Sequence, residues 1–60
     1  MAEGVRLTEM LKCAKRELAM RRATYPRLVE RHAMMPELAE RETRLMADIV
    51  QFLQAALEAP

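Results

Sequence analysis

Sixty residues make room for one domain at most. A chain this short buries only about 60% of the surface its unfolded form exposes, so small folds usually need a staple. Cys13 is the single cysteine and His32 the single histidine, which excludes an internal disulfide and a four-ligand zinc site. The formal charge of +1, with 52% apolar and 32% charged residues, points to amphipathic helices and away from a disordered polyelectrolyte. The staple left over is a second copy of the chain or a partner.

The segment Met1-Ala2-Glu3-Gly4 is acidic and leads into no apolar core, so no secretory signal is expected. No apolar run approaches the roughly 20 residues needed to cross a bilayer, so no membrane partner is expected either. A cytoplasmic chain with Cys13 reduced is therefore the expectation. Beyond that point Ala, Leu and Met supply most of the apolar content, and the aromatics are Tyr25 and Phe52 alone. Such a composition forms helices and has little that prefers strands.

The first predicted helix runs over about 5–31. Its seam follows a 4,3,4,3 spacing through Leu7, Leu11, Ala14, Leu18, Arg21, Tyr25 and Leu28. Pro26 interrupts it, because proline removes one helical hydrogen bond and clashes with the carbonyl four residues back. A kink near 22–26 is expected; the alternative is a break, with Pro26 starting a separate short helix. Residues 32–35 form a turn, and Pro36 suits the first position of a second helix over about 36–57.

The second helix carries two apolar series. One passes through Leu38, Glu42, Leu45, Ile49, Phe52 and Ala56. The other passes through Met46, Val50, Leu53 and Leu57. Folding the chain back at Ala33–Met34 sets Leu28 against Leu38, Tyr25 against Glu42, Arg21 against Leu45, Leu18 against Ile49, Ala14 against Phe52, and Leu11 against Ala56. The first series is therefore assigned to the hairpin core, with Arg21, Tyr25 and Glu42 as a polar cluster that fixes the register. Met46, Val50, Leu53 and Leu57 would then face water, beside a thinner stripe of Met10, Cys13 and Met20 on the first helix. Exposed apolar stripes of that length call for a cover. The expected architecture is all-α: an antiparallel, coiled-coil-like two-helix hairpin, dimerising through those residues into a four-helix bundle.

Residues 1–33 hold eight basic and four acidic groups, and residues 34–60 hold two and five, so the halves are +4 and −3. Lys12, Lys15, Arg16 and Arg22 could touch a polyanion, but Glu9 and Glu17 interrupt them, and two aromatics make no stacking platform. Nucleic-acid binding through the first helix is the second reading. A Cys–His catalytic pair fails on distance, since Cys13 and His32 stand roughly 28 Å apart along a helix. One glycine permits no phosphate loop. No enzymatic activity and no cofactor is expected. Pro26 opposes helix formation where it stands, so Arg22, Tyr25, Pro26 and Arg27 are candidate recognition residues.

The stretch Arg16-Glu17-Leu18-Ala19-Met20-Arg21-Arg22, with Tyr25-Pro26-Arg27-Leu28-Val29 and then Ala39-Glu40-Arg41-Glu42, Leu45-Met46 and Ile49, resembles a family of small bacteriophage and prophage proteins. The resemblance covers roughly residues 15–50. It implies a helical hairpin of phage origin and brings no catalytic residues. It also implies glycine near position 32 and a hydroxyl residue near 35, where this chain has His32 and Met35. On this reading the chain is an interaction module that binds itself and an unidentified host or phage protein.

Overall fold

His32 is where the chain reverses. In the computed structural model, which describes residues 3–60, helix α1 spans Glu3–Glu30 and helix α2 spans Pro36–Glu58. The two pack side by side, and there is no strand among the described residues. The hairpin measures 44 × 15 × 12 Å, a length matching the roughly 42 Å expected of 28 helical residues.

Three backbone bonds close α1. The Arg31 N–H donates to the Arg27 carbonyl (3.1 Å), His32 N–H to the Val29 carbonyl (3.0 Å) and Ala33 N–H to the Leu28 carbonyl (2.8 Å). The last two are the paired bonds of a Schellman motif. That motif needs a left-handed residue after the helix, and His32 occupies it at φ 59. Non-glycine residues rarely sit there, though histidine does so more often than most.

Pro26 lies inside α1 without ending it. The helix continues through Glu30, so the expected alternative of a break does not occur. Four residues follow Pro26 before α1 ends, and the lost bond is confined to the carbonyl of Arg22. α2 starts with Met35 in extended conformation and Pro36 at the first position, and no side chain caps it. Its first helical bond runs from Ala39 N–H to the Met35 carbonyl (3.0 Å).

The core differs from the sequence expectation on α2. Ala14 and Leu18 of α1 are buried against Met46 and Leu53 of α2, with Leu7, Leu11, Ala47 and Val50 packed around them. Ala39 is buried as well, and Leu28, Ala56 and Leu57 are half-buried. Leu38, Leu45, Ile49 and Phe52, assigned to the core from sequence, are instead exposed. Met46, Val50 and Leu53, assigned to a dimer interface, face α1. The two stripes of α2 have exchanged roles.

The physical reason is charge. The expected seam passes through Glu42, so burying it would desolvate a carboxylate. The observed seam passes through Ala39, Thr43, Met46, Val50 and Leu53, with no ionisable group. Ala39 and Ala47 on α2 and Ala14 on α1 also remove bulk at the crossing. The register moves with the rotation: Arg21 stands against Glu42, not Leu45.

Candidate interaction surfaces

A polar bridge ties the helices at mid-length. Arg21 Nε donates to Glu17 Oε2 (2.9 Å), one turn back on α1. Its Nη1 donates to the backbone carbonyl of Glu42 (2.8 Å), while the Glu42 carboxylate is 3.9 Å away. The guanidinium carbon lies 6.0 Å from the centroid of the Tyr25 ring. The hydrogen bond that Arg21 donates to Glu17 holds the Arg21 pKa above its ordinary value; partial desolvation opposes this, and the negative charges nearby support it. Arg21, Tyr25 and Glu42 thus come together as the sequence grouped them. Glu17 was missed, although its spacing of four residues before Arg21 was the signal.

One side of the hairpin carries the displaced apolar stripe. Leu38, Leu45, Ile49 and Phe52 are exposed, Phe52 at 74%. Glu42 belongs to the same series, so the stripe lies on the side where Arg21 reaches across. Met10, seven residues before Glu17, lies on that side of α1 and is exposed. Met20 and Cys13 are also exposed but turn further away from α2. The residues expected to cover one another between copies are therefore only partly those that stand open.

The opposite side holds a groove near the turn, of about 700 Å³. Tyr25, Pro26 and Val29 wall it on α1; Pro36, Ala39, Thr43 and Ala47 wall it on α2. Arg21 and Arg22 stand on one rim, with Glu40 and Arg44 on the other. Of the candidate recognition residues, Arg22, Tyr25 and Pro26 share this groove. Arg27 does not: it lines a separate surface depression with Thr24, Leu28, Glu30 and Arg31. The signal for the groove was the row of small residues Ala39, Thr43 and Ala47, four apart on α2.

Among the described residues, no group of three His, Cys, Asp or Glu side chains could hold a metal ion. No helix is long and apolar enough to cross a membrane. No protein-family model, curated protein or solved structure matches the chain.

Proposed function

We propose that this chain is a non-enzymatic interaction module which pairs with a second copy through the outer stripe of α2, forming a four-helix bundle. The carrying observation is the imbalance between core and surface. Among the described residues five side chains are buried, all of them between 6% and 8% exposed, while four large apolar residues of one stripe stand open. A helical hairpin with so thin a core gains little over its ordering entropy.

The area argues for a second copy as the cover. Leu38, Leu45, Ile49, Phe52 and Met10, at their observed exposures, present roughly 500 Å² of apolar surface, taking about 200 Å² for each fully exposed large side chain. A standard interface buries about 800 Å² per partner, a little over half of it apolar. The Glu17–Arg21–Glu42 bridge flanks this stripe and would set the register between copies, as single polar positions do in coiled coils. The resemblance to small phage proteins extends the reading: the assembled form would bind and modulate a host or phage protein in the bacterial cytoplasm.

Sedimentation equilibrium tests the pairing. The wild-type chain should sediment as a dimer at tens of micromolar, and Ile49→Glu with Phe52→Glu should give monomers of reduced helicity. A folded wild-type monomer at high micromolar concentration would overturn the reading.

A further inference from the structure

We propose that the groove beside the turn receives an amphipathic helix from a partner protein, one carrying carboxylates beside its apolar stripe. The groove lies on the side of the hairpin away from Leu45, Ile49 and Phe52, so self-association leaves it open.

Shape points to a helix. Ala39, Thr43 and Ala47 repeat every four residues along α2, and such a row forms a straight furrow into which the ridge of another helix packs. From Ala39 to Ala47 the floor extends about 12 Å, enough for apolar anchors at i, i+3 or i+4, and i+7. Tyr25, Pro26 and Val29 supply the apolar wall opposite.

Charge selects the occupant. Arg22 forms no ion pair among the described residues, and Lys15, seven residues earlier, extends the same side of α1. Glu40 is the one acidic side chain at the groove, and Arg44 pairs with it at 3.5 Å. The α2 rim is thus compensated, while the α1 rim presents the unpaired cation of Arg22 with Lys15 beyond it, which attracts a carboxylate-bearing helix and opposes docking of this groove onto its own copy. Pro26 adds a polar anchor: lacking an N–H, it leaves the Arg22 carbonyl without its helical donor beside the apolar wall. A partner Ser, Gln or Asn could donate there.

A displayed library of random peptides, about 16 residues long, panned against the full-length protein provides the test, with Ala47→Leu as the counter-selection because its side chain fills the furrow. The recovered peptides should show helical apolar spacing and an excess of Asp and Glu. Tyr25 is the only tyrosine and the chain has no tryptophan, so a synthetic copy of a recovered peptide free of aromatics can be titrated by protein fluorescence and by amide shifts. Arg22→Glu, or Arg44→Glu should the first variant lose helicity, should weaken binding about tenfold or more, the loss of at least one charged contact. The dimer measured by sedimentation should persist in both, so failure here is separable from failure of self-association. Three results would overturn the proposal: no enrichment over Ala47→Leu, enrichment of basic or extended peptides, or shifts centred on Leu45 and Phe52. A DNA duplex moving the Tyr25 signals with steep salt dependence would replace the helix by nucleic acid.

Discussion

Arg21 crosses from α1 to α2 and bonds the backbone of Glu42, not primarily its carboxylate: 2.8 Å to the carbonyl oxygen against 3.9 Å to Oε1. A main-chain acceptor survives substitution of the residue that carries it. Arg21→Ala should therefore destabilise the protein more than removal of the Glu42 carboxylate does. Glu42→Ala should cost less than about 0.5 kcal/mol, as expected for a long, half-exposed ion pair. Urea unfolding of the two variants at equal protein concentration decides it. Equal losses would assign the bridge to the carboxylate. Because the Arg21 pKa is raised, its contribution persists through neutral pH and fades only in strong alkali.

The turn offers a substitution that should stabilise. His32 holds a left-handed conformation at φ 59, which costs a side-chain-bearing residue about 1 kcal/mol and glycine nothing. His32→Gly should raise stability by about 0.5–1 kcal/mol, a few degrees in melting temperature for a domain of this size. His32→Val should lower it, since a β-branched residue suits that region worst. Melting curves must be compared at one concentration, because association shifts them. A glycine variant that melts lower would mean the motif is not the resident turn.

α1 was legible because one of its apolar series outweighs the other. Leu7, Leu11, Ala14 and Leu18 compete only with the thinner stripe of Met10, Cys13 and Met20, and they face α2 as the spacing said they should. α2 was ambiguous because two apolar series lie about one residue apart in phase. Choosing between them required weighing the cost of burying Glu42 against the bulk gained from Phe52, and spacing alone carries no such weight. The register slipped for a related reason. Rotating α2 to bury Met46 and Leu53 brings Glu42 to Arg21. The groove was the least legible feature, since it exists only where Ala39, Thr43 and Ala47 meet the wall built by Tyr25 and Pro26.

The exchange of stripes separates two classes of variant. Leu53 is buried against α1, so Leu53→Ala should lower stability by about 2–5 kcal/mol at any concentration at which the chain folds. Ile49 is exposed within one hairpin, so Ile49→Ser should act mainly through association. Its penalty should be near zero in dilute solution and grow as protein concentration rises through the range in which the wild type pairs, which follows from mass action. Concentration-dependent melting by circular dichroism checks both. Two penalties of equal size, both independent of concentration, would show that Ile49 makes no contact between copies.

Pro26 places stability and recognition in opposition. Within a helix interior proline costs about 3 kcal/mol relative to alanine, partly from the missing hydrogen bond and partly from the clash of its ring. Pro26 stands near the end of α1, where only Arg27 to Glu30 depend on continued winding, so the penalty should be smaller. Pro26→Ala restores an N–H that can reach the Arg22 carbonyl, and the variant should gain about 1–2 kcal/mol by urea unfolding. The same change takes the ring from the groove wall and gives the exposed carbonyl an internal donor. A groove-binding helical peptide should then bind more weakly, although the protein carrying the groove is more stable. A bend that merely fits α1 to α2 predicts the reverse pattern: stability lost as the helices splay, and binding unchanged wherever folding survives. Measuring both quantities on the one variant discriminates, because a gain in stability with unchanged peptide affinity would remove Pro26 from recognition and leave the groove to Tyr25, Arg22 and the small residues of α2.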